Sequence, residues 1–163
     1  MSFRTDYIQY SKNFDSANAD FKNGLDFSTK SAEDITLLYS QVLQSGMHGL
    51  CFSMYEDGQK PGDTISEEQV RRRLEIMAPY TKWVRSFSCI EGNEFIPKIA
   101  RELGMKTLVG AWLGDDAEKN EKEIEALIQL ARKGLVDIAA VGNEVMYRKD
   151  LSEDELLSFI HKV

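Results

Sequence analysis

An amide and a carboxylate stand side by side, as Asn143 and Glu144, at the end of the short apolar run Asp137-Ile138-Ala139-Ala140-Val141-Gly142. The run is too short to span a bilayer and reads as a buried parallel strand, so the pair falls where the chain leaves the sheet. In α/β folds that rim carries the chemistry. A carboxyl group backed by apolar residues suits a general acid, which gives a proton to a leaving group and later withdraws one from a nucleophile. The ordinary alternative is that Asn143 and Glu144 only open the next loop.

The other strand-like runs end in a related set of side chains. Tyr55 and Gln59 follow the first, Arg85 and Glu91 the second, Trp112 and Asp115 the third, and Tyr147 and Arg148 lie just beyond Glu144. Aromatic faces stack on the C–H faces of a pyranose, amides and guanidinium groups pair with hydroxyls, and a carboxyl protonates a glycosidic oxygen. Each member has a plainer role open to it. Trp112 can be core, Asp115 or Asp116 an N-cap, and Arg85 an ion-pair partner for Glu144 or Glu91. As a set they suit a neutral, hydroxyl-rich ligand. The sequence holds no Gly-x-Gly-x-x-Gly or Gly-x-x-x-x-Gly-Lys loop, no Gly-x-Ser-x-Gly elbow and no His-Glu-x-x-His pair, which leaves nucleotide binding, serine nucleophiles and zinc hydrolysis without support.

The elements that must position these groups alternate along the chain. Residues 1–30 carry Tyr7, Tyr10, Phe14, Phe21 and Phe27 among polar residues without a clean period, and read as an arm packed by its aromatics over one end of the domain. A helix from Ser31 presents Ile35, Leu38, Tyr39 and Val42 on one face and stops at Ser45-Gly46. Strands follow at residues 48–55, 83–89 and 106–113 and around Val141. Between them Ser66 with Gln69 predicts a capping box for a helix through Val70, Leu74 and Met77, and Asn93 opens a helix with Phe95, Ile96, Ile99 and Leu103, ended by Gly104. A long helix with Ile124, Leu127, Ile128 and Ala131 ends at Gly134, and Ser152 with Glu155 caps the last. Strands alternating with helices predict α/β architecture with a parallel sheet, organised as residues 1–46, arm and helix, and 47–163, the βα units.

Composition narrows the partners. At 163 residues the chain is long enough to bury one core, and a net charge of -7 disfavours nucleic-acid backbones and anionic membranes while a sugar is compatible with it. Cys51 and Cys89 both fall in strand-like runs, where buried free thiols are expected, and His48 and His161 are isolated. No metal or cofactor is expected. There is no basic-then-apolar leader, which leaves a cytoplasmic location or an export signal outside this sequence.

Five blocks, Leu50-Cys51-Phe52-Ser53-Met54-Tyr55, Gly58-Gln59-Lys60-Pro61-Gly62, Val84-Arg85, Val109-Gly110-Ala111-Trp112-Leu113 and Val141-Gly142-Asn143-Glu144-Val145, together resemble glycoside hydrolase family 17 from about Gly49 onward. These are (β/α)8 TIM-barrel enzymes acting on β-1,3-glucans and related β-glucans. The resemblance implies that this chain is the N-terminal half of such a barrel, about four βα units. It assigns the general acid/base to Glu144 and a hydrogen bond with the 2-hydroxyl of the cleaved sugar to Asn143, and it lines the cleft with Tyr55, Arg85 and Trp112. Phe87 stands where the family commonly shows Tyr, so that hydroxyl is missing. The family retains anomeric configuration, which needs a second carboxylate roughly 5 to 5.5 Å away. That nucleophile resembles a Glu-Thr-Gly-Trp-Pro motif on the seventh strand, and no such motif occurs here.

Hydrolysis of laminarin-type glucan and transfer to a sugar hydroxyl follow the same path and are not separated by the sequence. The chain alone is expected to be inactive. Two copies joined through the sheet edges would set their fourth strands opposite one another, not in the fourth-to-seventh relation. A non-catalytic, carbohydrate-binding half-barrel and a self-contained flavodoxin-like domain are the other readings.

Overall fold

The structure, a computed structural model, describes residues 27–163. Of the expected arm this leaves residues 27–30, where Phe27–Thr29 form a 3-10 turn; Tyr7, Tyr10, Phe14 and Phe21 lie outside the described residues. The chain divides into two compact units, Met1–Gln41 and Val42–Val163. Helix α1 (Ala32–Ser45) starts where Ser31 and Asp34 exchange hydrogen bonds and stops at Gly46, whose φ of 78° is left-handed; none of its residues is buried.

The second unit is built on four strands, β1 (Met47–Cys51), β2 (Thr81–Arg85), β3 (Lys106–Ala111) and β4 (Ile138–Val141). They pair in parallel in the order β1-β2-β3-β4. The connections contain α2 (Glu67–Met77), α3 (Phe95–Glu102) and α4 (Ala117–Arg132), and the chain continues through a single turn, α5 (Val145–Arg148), to α6 (Glu153–Lys162). A parallel strand order that advances one step at a time puts the connecting helices on one face when its crossovers share the usual right hand. This is the arrangement of half a (β/α) barrel, and it differs from the 2-1-3-4-5 order of a flavodoxin-like sheet.

Burial follows that layering. The register sets Leu50, Val84 and Thr107 in one row, with Val84 and Thr107 buried on the helix side. The neighbouring row, Cys51, Arg85, Leu108 and Ile138, faces the other way, and Ile138 is 48% exposed. In a closed barrel this face would point inward. The core beneath the helices falls into two clusters. Val70, Leu74, Ile96 and Ile99 gather around Val84, and Ile124, Leu127 and Leu130 around Val109 and Ala111.

Several expectations are corrected. The strands end earlier than the apolar runs do: Phe52 and Met54, read as strand, lie past Cys51 in a segment whose side chains are buried in the first cluster, so their apolarity reflects loop packing. Cys51 is exposed where a buried thiol was expected, because a one-residue step along a strand changes faces; Cys89 is buried, and both thiols are free. Only half of the expected box forms at α2. Ser66 accepts from the Gln69 N–H, but the Gln69 side chain donates to the Met54 carbonyl and to Gln59, pinning the segment after β1. Asn93 does not cap α3; its amide donates to the Ile90 carbonyl inside the preceding turn. The box of Ser152 and Glu155 on α6 is complete.

Candidate active site

Beyond β4 the ladder extends one step further, the Gly142 N–H donating to the Ala111 carbonyl at 3.0 Å. The chain then turns through two left-handed residues, Gly142 with φ 80° and Glu144 with φ 54°. A side chain at 142 would also bring its Cβ within 2.6 Å of Val145 Cγ2, so only glycine fits. Glutamate at 144 has no such freedom and carries strain of about 1–2 kcal/mol. The turn drives Val145 into the second core cluster and leaves Glu144 exposed, its carboxylate without a hydrogen bond or ion pair among the described residues.

Asn143 is held. Its Oδ1 accepts from Arg85 Nη2 at 2.8 Å, which leaves the amide N–H groups to donate elsewhere. Arg85 stands at the end of β2 and Asn143 just past β4, so the bond passes over β3. Alternate strands contribute to one layer inside a (β/α) barrel, and this pair is such a contact. The Arg85 guanidinium also lies 4.5 Å from the Phe87 ring centroid, and its buried Nε has no acceptor among the described residues. The ordinary alternatives for Arg85, an ion pair with Glu144 or Glu91, are not what forms.

Arg148 acts as a second tie. It donates to the main-chain carbonyls of Asn143 and Leu113, to the latter at 2.7 Å, and pairs with Asp150 at 2.7 Å. Its guanidinium covers one face of Trp112, 4.5 Å from the ring centroid. Arg148, one of the rim groups expected to suit a sugar, joins the segments after β3 and β4.

A pocket of about 450 Å³ opens at the ends of β1, β2 and β3. Tyr55, Phe87 and Trp112 supply aromatic walls, and Glu91, Lys119 and Glu123 supply charge. Tyr55 pairs with Asn93, and burial pushes its phenol above the usual value. Glu91 pairs with Lys119 at 3.0 Å. Glu123, on α4, is fully buried. Its carboxylate accepts from the Ser88 hydroxyl at 2.5 Å, from the Cys89 N–H at 2.7 Å and from the backbone of Trp112. Burial raises its pKa, and those three donors together with Lys119 pull the other way.

Of the residues expected from sequence, Tyr55 and Trp112 line this pocket, and Arg85 and Asn143 meet each other. Glu144 and Tyr147 do not line it, and Tyr147 is 85% exposed. Gln59 accepts from the Glu56 N–H and bonds Gln69, shaping the loop after β1. Asp116 is the N-cap of α4, and Asp115 is exposed. Glu123 was not expected. Asn120, Glu123, Ile124 and Leu127 share one helical stripe, and two polar residues on an apolar stripe are the signal that would have found it. Asn120 exchanges two 2.8 Å hydrogen bonds with the Gly114 backbone. Among the described residues no cluster of His, Cys, Asp and Glu is arranged to hold a metal ion.

Comparison with known proteins fixes the family. Residues 49–163 match the BtgE/BtgC glycoside hydrolase domain, and the chain belongs to that family. It is also 34% identical over 97 residues to a glucan 1,3-beta-glucosidase of Schizosaccharomyces pombe, across 55% of this chain and 30% of that protein. The chain thus spans less than a third of the length of this relative. No solved structure matches it.

Proposed function

We propose that this chain is the acid/base half of a family 17-type glycoside hydrolase acting on β-1,3-glucan. The observation that carries the reading is the Asn143-Glu144 pair after β4, with the amide oriented by Arg85 across the sheet. In this reading Glu144 protonates the leaving glycosidic oxygen and then takes a proton from water, or from a sugar hydroxyl in a transfer reaction. Asn143 donates to the 2-hydroxyl of the sugar being cleaved. Tyr55 and Trp112 stack on the glucan further along the cleft, and Tyr147, on the exposed turn after Glu144, meets the chain on the far side. The family assignment and the likeness to the glucan 1,3-beta-glucosidase of Schizosaccharomyces pombe support the substrate class.

The second carboxylate of a retaining mechanism belongs, by the family resemblance, on a seventh strand. Arg85 Nε, buried and without an acceptor among the described residues, is the donor such a carboxylate would satisfy. The 163-residue chain by itself is therefore proposed to bind laminari-oligosaccharides without hydrolysing laminarin. Reducing-sugar release from laminarin by the purified chain, lost in Glu144→Gln, would overturn the missing-nucleophile part of this reading. In a protein carrying the remaining βα units, Glu144→Gln is expected to lower turnover by about 10²- to 10⁴-fold, the usual weight of a general acid.

A further inference from the structure

Taking the aromatic pocket as the sugar site, as proposed above, we infer that Glu123 is its positioning residue: from inside the fold it joins the segment after β2 to the segment after β3 and so sets the spacing between Phe87 and Trp112. Three observations carry this. Glu123 is 0% exposed yet lines the pocket from below. Its two oxygens divide their partners, Oε1 taking the Ser88 hydroxyl and Oε2 the Cys89 N–H, with the Trp112 backbone as a third donor. Ser88 and Cys89 follow Phe87 directly, so a carboxylate bonded to both and to Trp112 fixes two of the pocket's aromatic walls at once.

The groups that face Glu123 are consistent with a tie. Lys119, one turn earlier on α4, is paired to Glu91 at 3.0 Å. The Cys89 thiol donates to the Gly110 carbonyl, and burial pushes its pKa up, so it stays a thiol. The hydroxyl of Ser88 can turn from donor to acceptor, whereas the Cys89 N–H cannot. A glutamine at 123 can therefore keep the contacts to Ser88 and Cys89, its amide nitrogen toward Ser88 and its oxygen toward Cys89. Leucine, of similar size, can keep none.

The test uses the full chain and laminarihexaose, with affinity read by isothermal titration and backbone order by amide exchange at Cys89, Trp112 and Gly114. Glu123→Leu is expected to weaken binding at least tenfold and to speed exchange at Cys89 and Trp112 at least tenfold, while Gly114, held by Asn120, stays protected. Glu123→Gln is expected to restore both to within about twofold of the parent, since amide and carboxylate oxygen accept the same N–H. Should Glu123→Leu not fold, Ser88→Ala is expected to speed Cys89 exchange several-fold in an intact core. Unchanged exchange at Cys89 in Glu123→Leu or in Ser88→Ala overturns the tie, as does a Gln variant as impaired as the Leu variant. If the parent chain binds no oligosaccharide while exchange responds as stated, the sugar assignment of the pocket fails and the positioning of its walls stands.

Discussion

At the ends of β1, β2 and β3 the polar groups are tied from below, whereas after β4 the carboxylate stands free. The first region has a buried carboxyl at its floor, three aromatic walls and a packed helix beneath it. The second has an exposed glutamate on a left-handed turn, with order imposed one residue earlier, on Asn143. The walls of this pocket rest on what lies under them, and here that is α4. If Glu144 is the proton donor proposed above, its exposure on the turn leaves it free to face a glycosidic bond. The first region is held by side chains packed beneath it, and the second by the backbone turn and by Asn143 alone.

Breaking the support under the pocket should have the largest effect. Leu127 is fully buried between α4 and β3 in the second cluster. Leu127→Ala is expected to cost about 2–5 kcal/mol, the range for a buried leucine left as a cavity, measured by urea unfolding. Laminarihexaose affinity should fall with it, since α4 also carries Glu123. A loss below 1 kcal/mol would mean that the pocket does not depend on this core.

The attachment of β4 is a smaller effect with a pH signature. Asp137, at the entry to β4, accepts from the Thr107 N–H at 2.8 Å and pairs with Arg101 at 3.0 Å. The Thr107 backbone bond, then Arg101, hold its carboxyl below the usual aspartate value. A depressed pKa gives stability that is present above the unfolded value and lost as pH falls through the folded one. Asp137→Asn is thus expected to lower stability by about 1 kcal/mol at pH 7. The gap from the parent should close as the pH drops below the ordinary carboxylate range. A gap that widens on acidification would reverse the assignment of the tie.

Most of this order was legible in the sequence, and the failures have identifiable causes. The βα alternation, the stops at Gly46, Gly104 and Gly134 and the box at Ser152 depend on local chemistry and came through. Strand ends did not, because Phe52 and Met54 are apolar for the sake of a loop core that only tertiary packing creates. The aromatic walls Tyr55 and Trp112 were found by their positions after strands. The intramolecular bonds of Arg148 and Gln59 were not foreseen, since a polar side chain at a rim looks the same whether it reaches toward ligand or toward the neighbouring main chain. Glu123 was passed over because a glutamate in a charged helix attracts no notice until its place on the apolar stripe is worked out.

Within the pocket, Trp112 has one face covered by Arg148, and the residue remains 38% exposed. That leaves a single face for stacking, fixed in orientation by the guanidinium behind it. Trp112→Ala is expected to weaken laminarihexaose binding about tenfold, equivalent to roughly 1.4 kcal/mol, with a change in stability of under 1 kcal/mol. Arg148→Met keeps bulk behind the ring and removes the tie to Leu113, and should give an intermediate loss. Equal affinity in Trp112→Ala and the parent would move the sugar away from this pocket.

The smallest effect should run in the opposite direction at the other region. Glu144 holds a left-handed backbone that glycine adopts freely, and its carboxylate gives nothing back in hydrogen bonds or ion pairs among the described residues. Glu144→Gly is accordingly expected to raise stability by about 0.5–1 kcal/mol in urea unfolding, while Glu144→Gln leaves it within about 0.5 kcal/mol. A residue whose removal stabilises the fold is there for something other than folding, and strain of this kind gathers where a side chain must be aimed. If Glu144→Gly were instead destabilising by more than 1 kcal/mol, the carboxylate would be a structural cap for the turn, and the contrast with the pocket would lose its second term.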